Sequence, residues 1–146
     1  MRLAVTVDVD APVEAVWELL THWERQPEWM LDAVDVEVLT PQRAGVGVTI
    51  RCPTRLLGVV VDDTMRVTVF EPPHRLVVQH LGRIIRGHGA FELAPRDGRT
   101  AVVWWEVVDV PFGPVGEFLA TLFVLPLLER VFRRSLRRLA ALAARR

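Results

Sequence analysis

The chain contains no lysine, no tyrosine and no asparagine, and it has one cysteine, Cys52, and one serine, Ser135. These absences remove whole classes of chemistry. Without lysine there is no Schiff base, and without tyrosine there is no phenolic acid. A lone cysteine allows neither an intramolecular disulfide nor a thiolate metal cluster. Cys52 sits near the end of an alternating apolar strand and reads as a small buried hydrophobe rather than a reactive thiol. Ser135 lies among arginines on a predicted terminal helix with no histidine or carboxylate at triad spacing, so it reads as a helix serine and not a nucleophile. His22, His74, His80 and His88 show neither the helical pair nor the Cys/His spacing of a metal site, so neither metal nor cofactor is expected. No glycine-rich phosphate loop is present; Gly87 and Gly89 flank His88 in a predicted strand, where bulging or close packing accounts for them.

The basic residues number 18, all arginine, and are balanced by 18 acidic ones. A formal charge of zero gives no global attraction to nucleic acid, and the aromatic interleaving of single-strand binders is missing. Arg130, Arg133, Arg134, Arg137, Arg138, Arg145 and Arg146 crowd the C-terminal segment. They read as a solvated helix face, with peripheral membrane contact as the alternative use. The N-terminal strand carries Thr6 and Asp8 between its apolar residues, unlike a secretory signal, and this points to a cytoplasmic protein. Phe118 to Leu128 is almost wholly apolar, yet it is well short of the roughly 20 residues a spanning helix needs and contains Pro126. A buried helix is expected there.

At 146 residues the chain is long enough for one domain, 1–146, with a sizeable core. Leu3, Val5, Val7 and Val9 alternate as a strand that runs directly into Asp10-Ala11-Pro12, a helix start with Asp10 placed to cap and Pro12 in the first turn. Val13, Val16, Trp17 and Leu20 then form one apolar stripe. A second short helix, broken at Pro27, is expected from Trp23 to Met30. Alternation predicts strands at Val34–Val38, Val46–Arg51, Gly58–Phe70, Leu76–Leu81, Gly87–Ala94 and Thr100–Asp109, with turns at Pro72-Pro73 and Asp97-Gly98. A long helix should start near Pro114 and kink at Pro126, with Phe118, Leu122, Leu125, Leu128, Phe132, Leu136, Leu139 and Leu142 on its apolar line.

The run from Val7 to Leu20, followed by Trp23-Glu24-Arg25-Gln26-Pro27-Glu28-Trp29-Met30, resembles the start of polyketide cyclase/dehydrase-type proteins of the START-like, or SRPBCC, superfamily. Phe70-Glu71-Pro72-Pro73-His74-Arg75-Leu76-Val77 is similar to that family's inter-strand turn, and Gly87 to Leu93 with Gly98-Arg99-Thr100 to its penultimate hairpin. The resemblance implies an α+β helix-grip fold: a curved antiparallel sheet of about seven strands around a long C-terminal helix, with two short helices after the first strand. It also implies an apolar cavity between sheet and helix. These motifs are packing and turn signals, and they specify fold far better than function.

Two acidic residues interrupt apolar strand faces. Thr100, Val102, Trp104, Glu106 and Val108 share one parity, and Val59, Val61, Asp63, Met65, Val67 and Val69 share another. If both faces line the trough, Asp63 and Glu106 enter the cavity and need arginine, histidine, water or a ligand donor as partner. A bulge that shifts parity, or a position at the cavity mouth beside arginines, is the alternative. His80 is in phase with Leu76 and Val78, either as a satisfied core histidine or as a cavity group. Trp29, Met65, Trp104, Phe118 and Leu122 are the candidate apolar lining, with core filling the plainer role.

Two functions follow. The first is binding or transport of a small hydrophobic molecule, for which the resemblance implies lipids, sterols or polyketide-like aromatics. The second is a cyclase or dehydratase in which Glu106, Asp63 or His80 moves protons. A membrane-associated accessory role for the arginine-rich terminus ranks third.

Overall fold

The computed structural model describes residues 1–145, so Arg146 lies outside the described residues. Its strands are β1 (Arg2–Val9), β2 (Glu37–Val38), β3 (Thr49–Leu56), β4 (Val59–Glu71), β5 (Arg75–Leu81), β6 (Arg86–Arg96) and β7 (Arg99–Val108). They form one antiparallel sheet in the order β1-β7-β6-β5-β4-β3-β2. Helix α1 (Val13–Leu20) and a 3-10 helix (Trp23–Glu28) follow β1, as expected. The C-terminal helix comprises α2 (Gly113–Leu119), a π turn (Ala120–Val124) and α3 (Leu125–Ala144). This is the helix-grip arrangement.

Alternation works well where strands are long. In β1, Leu3, Val5 and Val9 are buried while Arg2, Ala4, Thr6 and Asp8 face outward. Thr100 is fully buried and its hydroxyl donates to the Ala11 carbonyl at 2.8 Å, fixing the entry to α1 to the start of β7. Trp17 of α1 meets Phe70 of β4 edge-on at 5.4 Å.

Several local expectations are corrected. Asp10 does not cap α1; Pro12 occupies the N-cap, and its carbonyl accepts from the amides of Ala15 and Val16. The strand expected over 34–38 shrinks to Glu37–Val38 because Asp35 turns its side chain back onto the Val36 amide at 2.9 Å. The strand expected from Val46 begins at Thr49 instead. Gly45 and Gly47 both adopt positive φ there, and the Gln42 amide group donates to the Ala44 and Val46 carbonyls, closing a loop. Beyond Arg51, β3 runs on through Pro53. The Pro53 carbonyl accepts from Val34 on the side where β2 has already ended, so the missing amide proton leaves no ladder bond unmade. In β4 a bulge between Val67 and Val69 falls after the acidic position, so the inward parity of Asp63, Met65 and Val67 survives and Val69 loses it.

The largest correction concerns the terminal helix. Phe118 and Leu122 are 66% and 54% exposed. Pro126 has no amide proton to give to the Leu122 carbonyl, and the chain absorbs this defect as a π turn just upstream. One extra residue in a turn rotates everything before it by about 100°. The inward face of Phe132, Leu136 and Leu139 therefore leads back through Leu128 and Val124 to Ala120, and Phe118 and Leu122 face away. Arg133, Arg134, Arg137 and Arg138 occupy the exposed side of α3. No helix of the described residues is long and apolar enough to cross a membrane.

Candidate functional site

Between the interior face of the sheet and the terminal helix lies a cavity of about 790 Å³. The sheet contributes Ile50, Cys52, Met65, Val78, Phe91 and Trp104, and the helix contributes Ala120, Val124, Leu128 and Phe132. Trp104 stacks face to face on Phe132 at 3.8 Å, joining sheet to helix at one end. Exposed Leu57, Arg83, Ile84 and Arg86 mark the mouth.

Three polar side chains meet inside this apolar frame. The His80 ring donates from Nδ1 to Asp63 Oδ1 and from Nε2 to Glu106 Oε2, both at 2.8 Å. Trp104 Nε1 donates to the other Glu106 oxygen at 3.2 Å. All four residues are buried. Burial alone would pull the His80 pKa down, but the hydrogen bonds and negative charges of Asp63 and Glu106 outweigh it and push the pKa up to about 10. His80 is thus an imidazolium at neutral pH with both nitrogens donating.

The strand order shows how sequence makes this possible. Asp63 and His80 sit on adjacent strands, but β6 separates His80 on β5 from Glu106 on β7. Across that gap β6 presents glycines: Gly87 pairs with His80, and Gly89 pairs with Glu106. A Cβ on Gly89 would lie 2.5 Å from Glu106 Oε1. Gly89 is therefore the vacant position through which imidazole and carboxylate meet. Close packing, one of the two readings of these glycines, is its role.

Of the sequence candidates, Met65, His80, Trp104, Glu106 and Asp63 line the cavity. Trp29 is fully buried just behind it, edge-on to Phe91 and Trp104 at 5.9 and 6.1 Å. Phe118 and Leu122 are outside it, as described above. Cys52 lines the wall, and burial pushes its thiol up to about 12, which makes it a poor nucleophile.

Asp32 was not signalled by any sequence period, because it lies in an irregular turn between the 3-10 helix and β2. It lines the cavity, and its Oδ1 is buried with no hydrogen-bond partner. Burial, with a smaller contribution from the charges of Glu106 and Asp63, pushes its pKa up to about 6 against the pull of its own backbone amide. Ser135 is likewise structural in an unforeseen way. Its hydroxyl donates to the Val131 carbonyl at 2.8 Å and accepts from the Leu31 amide at 3.0 Å, binding that turn to α3.

The sequence profile of the family described as polyketide cyclase / dehydrase and lipid transport matches residues 1–144. The chain belongs to this family. No curated protein sequence matches it. Among solved structures, a protein from Thermus thermophilus, TTHA0849, aligns with a TM-score of 0.83 at 18% identity, covering 98% of this chain and 97% of that one. The Zhui aromatase/cyclase from Streptomyces sp. R1128 aligns with a TM-score of 0.82 at 21% identity, covering 100% and 94%. A START superfamily protein from Mycobacterium smegmatis aligns with a TM-score of 0.70 at 14% identity, covering 98% and 94%. At these identities the likeness is one of fold, and fold alone does not assign a chemistry.

Proposed function

We propose that this family member binds or carries a small hydrophobic molecule in the cavity between sheet and helix. The observation that carries this reading is the cavity itself, about 790 Å³ and bounded mainly by aliphatic and aromatic side chains. That volume falls within the range of about 300–1,000 Å³ typical of small-molecule sites. The Asp63–His80–Glu106 cluster supports binding over proton transfer, since both ring nitrogens already donate to carboxylates and the histidine is held charged. A general base has to be free to accept a proton near neutral pH. Nothing in this reading requires nucleic acid or a membrane, and the cytoplasm is the compartment it fits.

A second reading is a cyclase or dehydratase, favoured by the fold likeness to an aromatase/cyclase over the full length of this chain. There His80 would act as an acid, with Asp63 and Glu106 returning the proton. Glu106→Gln separates the two readings. In a carrier it preserves the fold and shifts ligand affinity by about 1–3 kcal/mol through the altered hydrogen bond. In an enzyme it abolishes turnover while ligand still binds. Native mass spectrometry of freshly purified protein tests the first reading directly: a retained apolar molecule supports it. A protein that comes empty and takes up no lipophilic probe overturns it.

A further inference from the structure

We propose that the cavity selects apolar molecules that carry a protonated amine, and that the Asp32 carboxylate is the group that meets the ammonium. This rests on the binding reading above and specifies its ligand class. Asp63 Oδ1 and both Glu106 oxygens already accept from His80 and Trp104. Asp32 Oδ1, by contrast, is shut away from solvent and accepts from nothing, although Asp32 lines the same cavity. A buried carboxylate oxygen without a donor is costly, and an entering N–H donor removes that cost.

Charge chooses among donors. Asp32 from the turn, Asp63 from β4 and Glu106 from β7 line the interior against the imidazolium of His80 from β5; Met1, which also lines it, carries an α-ammonium already held by the Glu117 carboxylate and the Val108 carbonyl, which leaves the three interior carboxyl groups in excess. The other interior polar groups, Gln26, Thr54 and the protonated Cys52 thiol on β3, add no cation. Arg83, Arg86 and Asp109 line the cavity only where it is exposed. The wall formed by α3 is apolar there, through Leu128 and Phe132. An alcohol would satisfy the hydrogen bond but leave the excess negative charge, and a carboxylate ligand would add to it. An ammonium answers both in a medium where charges are weakly screened.

The carboxylate is also held in place. The Asp32 carbonyl accepts from the Arg55 amide at 2.7 Å, the preceding Leu31 amide bonds Ser135 on α3, and the following Ala33 bridges to Thr54 on β3. Backbone on both sides of Asp32 is therefore tied to two different walls of the cavity, which spares a ligand the cost of ordering its partner. Because the Asp32 pKa is pushed up to about 6, the amine preference should fade as the pH drops through that value.

The test compares dodecylamine, dodecanol and dodecanoate on the full chain by displacement of a lipophilic fluorescent dye. Near pH ~7.5 the amine should bind at least about tenfold more tightly than the alcohol, and the acid most weakly. Asp32→Asn should remove most of the amine's advantage and leave dodecanol within about twofold, with circular dichroism confirming the fold. Near pH ~5 the wild-type preference should shrink. Dodecanol or dodecanoate binding as tightly as the amine to wild type overturns the proposal whether or not the variant folds. An amine preference unchanged in Asp32→Asn overturns the role of Asp32. If apolar probes bind without discrimination, only this inference fails; if none binds, the binding reading fails with it.

Discussion

Removing the imidazole from the buried cluster is the most demanding test of the electrostatics. In His80→Gln the Asp63 and Glu106 carboxyl groups lose the only cation that lies between them, in a region where all three residues are less than about a tenth exposed. Stranding buried charges in this way costs about 3–5 kcal/mol. The raised His80 pKa points the same way: a rise from 6.5 to about 10 corresponds to about 5 kcal/mol as an upper bound. Either figure is a large share of the roughly 5–15 kcal/mol that holds a domain folded. The sign follows from linkage. A histidine whose pKa is raised by folding contributes fully below its unfolded value near 6.5, and that contribution disappears as pH rises through about 10. Urea unfolding followed by tryptophan fluorescence at a series of pH values should show wild-type stability falling across that window. His80→Gln should start several kcal/mol lower and lack this fall. Replacing all three residues with apolar side chains of similar size should recover much of the loss, because an absent charge needs no partner. A His80→Gln cost below about 1 kcal/mol, or parallel pH profiles for the two proteins, would refute the reasoning.

Two further outcomes follow from the same geometry. Gly89→Ala should cost about 1–3 kcal/mol in urea unfolding by driving a methyl group into the Glu106 carboxylate, and most of that cost should vanish in the background of Glu106→Ala, where the two sites couple. Cys52 should resist iodoacetamide in the native protein at mildly alkaline pH and react fully in urea; rapid alkylation of the folded chain would contradict its burial and its raised pKa.

Much of this was legible in the residues because it depends on period. The parity of Asp63 with Met65 and Val67, of Glu106 with Trp104, and of His80 with Leu76 and Val78 offered the inner face as one of two readings, with a parity-shifting bulge or the cavity mouth as the other, and all three side chains are buried. That they join into one hydrogen-bonded cluster was not legible, because it depends on strand order and on Gly89 leaving the intervening strand bare. Phe118 and Leu122 failed for a similar reason. Helical periodicity assumes an unbroken ladder, and Pro126 broke it by one residue. Asp32 had no period to reveal it, since an irregular turn is positioned by partners distant in sequence, Ser135 and Arg55.

The π turn also divides one continuous helix into parts of unequal permanence. Below it, α3 is anchored on β1 and α1 through Phe132, Leu136, Leu139 and Ala143. Above it, α2 buries only Gly116 and rests chiefly on the π turn itself. Segments with few buried contacts open at a small fraction of the global unfolding free energy. Backbone amides of residues 113–124 are therefore expected to exchange with solvent deuterium well ahead of those of α3 and the sheet. Ala120 and Val124, which close one side of the cavity, belong to that early-exchanging unit. Opening of that unit of about a dozen residues would give the interior a second entrance beside the mouth at Leu57 and Arg83, with the seven-stranded sheet left intact.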